Sequence, residues 1–295
     1  MRSRPALKGR VVAVHGRHFL VETADGARHD CVTRGKKGGI ACGDAVRFRS
    51  TGEGTAVIEG VEPHRNLLYR SDRFRSKRIA ANLDQAFIVL AAYPSPNLEL
   101  LDRCLMACET AGIAARIVVN KIDLPETAAW IERLAGYAEL GYALLPLSAR
   151  ADVEPLRALL ADRVSIFVGA SGVGKSTLVN ALVPAAGIAT QEVSEALDSG
   201  RHTTTHTRLY PLPEGGALID SPGMQEFGLR HIPPTELAHA LPEFRARLGQ
   251  CRFHNCRHLQ EPGCAILAAV EAGEIQRHRW RIYQTVLAEN SASIY

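Results

Sequence analysis

Gly169-Ala170-Ser171-Gly172-Val173-Gly174-Lys175-Ser176 carries the spacing G-x-x-x-x-G-K-[ST]. It lies between the apolar run Val164 to Val168 and the helix-forming stretch Lys175-Ser176-Thr177-Leu178-Val179-Asn180-Ala181-Leu182. A strand therefore feeds a tight loop, and the loop feeds a helix N-terminus. Glycines let the backbone curl until its N–H groups converge on phosphate oxygens, and the helix dipole adds positive potential at the same point. Lys175 is placed to bridge the β- and γ-phosphates, and Ser176 to put its hydroxyl on Mg²⁺.

The chain around this loop alternates strand and helix patterns. Phe87–Ala91, Ala115–Val119, Ala143–Leu147 and Val164–Val168 read as buried strands. Helices are predicted over Leu98–Ala111 (closed by Gly112), about Thr127–Leu140 (ended by Gly141) and Val153–Asp162. A hairpin follows, Leu209–Leu212 to Ala217–Asp220 through Pro213-Glu214-Gly215-Gly216. Such alternation predicts a mostly parallel sheet with helices on both faces.

A phosphate loop does not say which nucleotide. Asn120-Lys121-Ile122-Asp123 closes the strand 115–119. A carboxylate there accepts two hydrogen bonds from the N–H groups of guanine's Watson–Crick edge, and adenine leaves it unpaired. Asn120 is read as supporting the loop and the O6/N7 side, with the Lys121 stem along the base plane. Ser148-Ala149, after the next strand, adds a backbone N–H for O6. Asp220-Ser221-Pro222-Gly223 supplies the second carboxylate on the Mg²⁺ side, with Gly223 free to meet the γ-phosphate. Thr203-Thr204-Thr205, between the two, can ligate Mg²⁺ only while the γ-phosphate is present, which makes a switch. Thr204 or Thr205 is the favoured ligand. Met224 stands after Gly223, and a thioether cannot orient water, so hydrolysis must lean on another group.

The order of these parts is unusual: base-reading elements first, then phosphate loop, threonine switch and Asp-x-x-Gly. Circular permutation preserves a site where termini lie close together. It also runs the switch after Gly223 straight into the C-terminal region.

Outward from the nucleotide site, residues 8–62 read as roughly five short strands, a small barrel of the OB type. They include Gly9–His15, Phe19–Thr23, Ala45–Phe48 and Thr55–Ile58, and an SH3-like barrel is the competing reading. Its loop Arg34-Gly35-Lys36-Lys37-Gly38-Gly39 is basic, and residues 1–80 carry 17 Lys+Arg against 8 Asp+Glu, whereas the remainder carries 18 against 23. That asymmetry fits nucleic-acid binding. Residues 63–82 read as a charged linker. After Gly228 the chain turns helical, with a basic helix near Arg277, Arg279 and Arg281. Cys251-x4-Cys256-x-His258-x5-Cys264 offers three thiolates and an imidazole, a closed set suited to one structural zinc, with His254 as a spare. No run is apolar and long enough for a signal segment or a bilayer span, so a cytoplasmic protein is expected, its seven cysteines outside any disulfide framework.

Permuted motif order, barrel and cysteine knot together resemble the circularly permuted, ribosome small-subunit-dependent GTPases, the RsgA family, over nearly the whole length. The resemblance implies GTP hydrolysis to GDP and phosphate, stimulated by the small (30S) subunit and serving its late maturation, with 16S rRNA as contact and the chain a monomer. It maps the family's zinc ligands onto Cys251, Cys256, His258 and Cys264, and its proposed switch histidine onto His202. The expected catalytic set is thus His202, Thr204, Thr205 and Lys175. The nucleotide set is Asn120, Lys121, Asp123, Ser148, Ala149, Gly169 through Thr177, Asp220 and Gly223, with Ser176 and Thr204 on magnesium. Expected domains are 1–65 (OB-like barrel), 66–228 (permuted α/β GTPase) and 229–295 (zinc-binding helices). The rivals are a metabolic or zinc-handling GTPase that does not act on ribosomes, and an RNA-binding module with a degenerate nucleotide site.

Overall fold

The computed structural model describes residues 6–34, 39–52, 55–74, 76–188 and 206–292. His202, Thr203, Thr204, Thr205, Lys36 and Lys37 lie outside the described residues.

The N-terminal strands are β1 (Leu7–His15), β2 (His18–Glu22), β3 (Arg28–Thr33), β4 (Ala45–Gly52) and β5 (Thr55–Val61). They run β1-β2-β3-β5-β4, and β4 pairs back with β1 to close a five-stranded barrel. Alternating positions fill it: Phe19 and Val21, Val46 and Phe48, Ala56 and Ile58 all point inward. β1 serves two sheets. Its first half, Leu7–Arg10, pairs with β4, and Ala13 and Val14 pair with Arg208 and Thr207 of the next sheet.

Residues 63–82 are not a plain linker. β6 (Leu67–Ser71) and β7 (Ser76–Ala81) form an antiparallel hairpin. The charges that hide it in the sequence sit toward its tip, while Leu68, Ile79, Ala80 and Ala81 at its base are buried. Phe74 at the tip is 85% exposed.

The central sheet has the order β10-β9-β8-β11-β13-β12. Its strands are β8 (Gln85–Ala91), β9 (Ala114–Asn120), β10 (Ala143–Pro146), β11 (Val164–Val168), β12 (Thr207–Pro211) and β13 (Ala217–Asp220). All pairs are parallel except β12–β13. β8 is buried along its whole length, as a strand covered on both faces must be. Ile88 and Leu90 face α1 (Leu98–Ala111) and α2 (Thr127–Glu139), whereas Phe87 and Val89 face α3 (Glu154–Leu160) and α4 (Lys175–Leu182). The Asn97 side chain accepts from Leu100 N at 3.0 Å to start α1, and Gly112, at φ 65°, ends it.

The C-terminal helices α5 (Pro242–Arg245), α6 (Ala265–Glu271) and α7 (Arg277–Ser291) share the core that α1 lines. Here one expectation fails. Arg279 takes no part in the basic surface of its helix: it is 1% exposed, donating to Asp102 of α1 at 2.7 Å and to Glu243 of α5 at 2.7 Å. The Tyr137 hydroxyl of α2 donates to the same Asp102 at 2.7 Å. Two carboxylates from distant parts of the chain compensate one desolvated guanidinium, which a linear reading of basic residues cannot foresee. Arg277 and Arg281 are exposed. Among the described residues no helix is long and apolar enough to cross a membrane, and all seven cysteines are free thiols.

Candidate nucleotide site and metal centre

The phosphate loop opens at the C-terminal end of β11 and closes on the N-terminus of α4. Gly169, Gly172 and Gly174 have φ of 150°, 80° and 97°. The last is the case that requires glycine most plainly, because the space of a side chain there is taken by the Asn120 amide. Lys175 is buried, and its ammonium donates to the carbonyls of Gly169 at 3.0 Å and Ala170 at 2.7 Å. Burial lowers its pKa to about 8, against the opposing pull of Asp220. Ser176 and Thr177 follow in the first turn of α4, and Asp220 is buried at the end of β13.

The loops expected to read the base are fastened to the phosphate loop. Asn120 Nδ2 donates to Val173 O at 2.9 Å, and its Oδ1 accepts from Ala149 N at 3.0 Å. Lys121, in a left-handed conformation at φ 63°, donates its ammonium to Gly172 O at 2.9 Å and to Tyr93 O at 2.8 Å. The backbone strain there is offset locally, since the Thr127 hydroxyl donates to Lys121 O at 2.9 Å. Ser148 Oγ donates to Asp123 Oδ1 at 2.7 Å, and that bond holds the Asp123 carboxyl below its ordinary pKa. The sequence reading gave Lys121 only a packing role. The stapling through Tyr93 escaped it because a backbone carbonyl leaves no trace in a motif.

Gly223 packs on the phosphate loop: a Cβ added to it would lie 2.8 Å from Ser171 Cα. Met224 N donates to Gly169 O at 3.1 Å, and Ser221 Oγ to Phe167 O at 2.7 Å, so this turn is pinned to β11 at one end and to the phosphate loop at the other. The segment beyond it is tied to the hairpin and to α7. Ser71 N donates to Gly228 O at 2.9 Å, Arg230 N to Ser71 O at 3.0 Å, and Asn290 Nδ2 to Leu229 O and Ile232 O, both at 2.8 Å.

Cys251, Cys256, His258 and Cys264 bring one donor atom each to a common point, all within 4.8 Å of one another. His258 Nδ1 lies 3.5 Å from Cys251 Sγ and 3.4 Å from Cys264 Sγ. Three soft thiolates and an imidazole are the donor set of a closed tetrahedral zinc site. His258, at φ 60°, is held for it: its carbonyl accepts from Trp280 Nε1 at 2.9 Å, and its ring packs near Phe244 and Tyr283. His254 is exposed and outside the cluster.

Fold and motif order define the class: a P-loop GTPase whose segments run in circularly permuted order. The sequence model of the RsgA GTPase family matches residues 61–230. The chain is 50% identical over 286 residues to the Small ribosomal subunit biogenesis GTPase RsgA of Nitrosomonas europaea, covering 96% of this chain and 91% of that one. It is 52% identical over 291 residues to the protein of the same description from Burkholderia pseudomallei, covering 96% and 92%. Among solved structures it is similar to YjeQ from Thermotoga maritima, with a TM-score of 0.74 at 30% identity over 98% of this chain and 100% of that one. It is also similar to YloQ, described as a circularly permuted GTPase, with a TM-score of 0.68 at 26% identity over 100% and 99%. The chain belongs to the RsgA GTPase family and is a GTP-hydrolysing enzyme.

Proposed function

We propose that this GTPase is an assembly factor of the small ribosomal subunit, engaging it in the GTP state and leaving after hydrolysis. The observation that carries the reading is the wiring of the Asp-x-x-Gly turn. The same segment that packs Gly223 on the phosphate loop is bonded to the hairpin through Ser71 and to α7 through Asn290. A change at the γ-phosphate is thereby passed to surfaces outside the nucleotide site. The likeness to proteins described as small-subunit biogenesis GTPases supplies the partner.

In this reading Asp123 selects guanine, Asn120 and Lys121 hold the base-reading loop on the phosphate loop, and Gly169 through Thr177 take the phosphates. Magnesium accompanies GTP, held by Ser176 with Thr204 and by Asp220 through its charge. Cys251, Cys256, His258 and Cys264 hold one structural zinc, which fastens the C-terminal unit, 229–295, and is not cargo because the set leaves no open position. The barrel, 1–65, and that unit grip 16S rRNA from two sides of the GTPase unit, 66–228. Arg34, Arg277 and Arg281 are exposed for the purpose, and Lys36 and Lys37 extend the barrel's share. Arg279 takes no part. The protein acts as a cytoplasmic monomer, and His202 is a candidate for ordering the attacking water.

The test is GTP turnover with and without purified small subunits, alongside co-sedimentation at two salt concentrations. Turnover should rise with subunits. Sedimentation should favour a non-hydrolysable GTP analogue over GDP and weaken steeply with salt, as counterion release requires. Equal sedimentation with both nucleotides and no rate increase would refute the reading.

A further inference from the structure

Met224 leaves the hydrolytic site without the side-chain amide that orients water in many GTPases, so charge and order must come from elsewhere. The hairpin β6–β7 brings two cations to that place. Arg70 and Lys77 are cross-strand partners, and together with Ile79, Thr207, Pro222, Gly223 and Met224 they line a small cavity. Like charges directly opposite on paired strands repel. Neither side chain is within ion-pair distance of a carboxylate among the described residues. Partial desolvation, and then the Arg70 charge, lower the pKa of Lys77.

Arg70 is held beside the switch, its Nη1 donating to Glu226 O at 2.9 Å. Two cross-strand cations at the Asp-x-x-Gly turn, neither in ion-pair contact with a carboxylate although Arg70 also borders the larger cavity that Asp72, Glu99, Glu226 and Glu289 line, are arranged to receive an oxyanion.

We propose that Arg70, with Lys77 beside it, supplies positive charge to the γ-phosphoryl oxygens during hydrolysis, the part an arginine given in cis plays in other GTPases. The proposal rests on the assignment of Gly169–Ser176 and Gly223 to the nucleotide phosphates. Water attacks the γ-phosphorus, the bond to the β–γ bridging oxygen breaks with its electron pair going to GDP, and the water proton leaves on the phosphate or to solvent. The cations neither gain nor lose a proton. They offset charge that is larger in the transition state than in bound GTP.

The experiment uses the full chain and three variants, Arg70→Gln, Arg70→Lys and Lys77→Gln. Affinity for fluorescent GDP is measured with and without aluminium fluoride, a mimic of the transferring phosphoryl group, alongside single-turnover hydrolysis and Tm. For Arg70→Gln we expect a loss of turnover of about 10³-fold, at the lower end of what such an arginine contributes. The gain in GDP affinity from aluminium fluoride should vanish in this variant, while affinity for GDP alone and Tm stay near wild type. Lys77→Gln should lose part of both gains, and Arg70→Lys should retain part. GDP affinity without fluoride reads the assignment of the site, and the fluoride gain reads the cation pair, so the two fail separately. A full fluoride gain in both glutamine variants would overturn the proposal. So would a turnover loss that tracks a fall in Tm with the fluoride gain intact, which would make the pair structural. Loss of small-subunit binding with the fluoride gain intact would assign the pair to RNA phosphates and overturn it equally.

Discussion

Asn120 and Val173, 53 residues apart, are joined by a 2.9 Å hydrogen bond from the side-chain amide of one to the carbonyl of the other. The same amide fills the space beside Gly174 that any side chain would need. The Asn120–Asp123 loop and the Gly169–Ser176 loop are therefore joined directly through this one amide. Asn120→Ala removes the bond at Val173 O and the acceptor for Ala149 N together. With about 1–3 kcal/mol for each buried polar group left unpaired, GDP affinity should fall by at least about tenfold, measured by titration with fluorescent GDP. Unchanged affinity would show that the two loops are ordered independently.

Asp123 should decide the base. Asp123→Asn should weaken GTP and favour xanthosine nucleotides, whose edge presents an acceptor where guanine presents a donor. The check is competition between GTP and xanthosine triphosphate, and equal preference in wild type and variant would remove Asp123 from base reading.

Lys175 sets a pH dependence. Its pKa of about 8 in the free site lies below the 10.5 of an unperturbed lysine, and a bound phosphate must raise it again. Binding thus takes up a proton above pH 8. GDP affinity should be level below about pH 8 and fall as pH rises beyond it, by up to about tenfold per unit while the bound lysine stays charged. Lys175→Arg, with a group that does not deprotonate, should flatten the profile between pH 7 and 9 even if it binds more weakly overall.

The strand, glycine-rich loop and helix around Lys175 are legible in the sequence because their logic is local. Strand, glycine-rich turn and helix follow one another within Val164–Leu182, and each motif residue is recognised by neighbours in sequence. Arg279 shows the opposite case. Arg277, Arg279 and Arg281 read together as a basic helix, but position 279, which helical spacing sets on the side away from the other two, turns inward to Asp102, 177 residues away. Nothing within a helical turn of it announces that partner. The hairpin β6–β7 was hidden for a related reason. Its strand signal, Leu67-Leu68 and Ile79-Ala80-Ala81, is interrupted by six charged residues between them, and tertiary packing on α1 decides what the residues become.

The buried Arg279 gives a stability prediction. Arg279→Ala leaves Asp102 and Glu243 desolvated without a cation, and breaking a buried ion pair in this way costs about 3–5 kcal/mol. Denaturant unfolding followed on the C-terminal helices should show that loss. Replacing Arg279, Asp102 and Glu243 together with apolar residues of similar volume should recover most of it, since no charge is then stranded.

Zinc should be required for the C-terminal unit to hold its shape. Cys256→Ser and His258→Ala should each bring bound zinc well below one per chain by elemental analysis and make the helices after Gly228 open to proteolysis, because metal binding is folding free energy in such sites. Full occupancy in both variants would contradict the assignment.

β1 belongs at once to the barrel and, through Ala13 and Val14, to the edge of the central sheet. Excising the barrel would therefore strip β12 of its neighbour and leave a row of bare amides and carbonyls, the template on which strands of separate molecules join. A truncated nucleotide-binding fragment should recruit copies of itself along that margin. Poor solubility in such a fragment would then describe the cut and not the enzyme, and experiments on isolated pieces are better made with β1 retained.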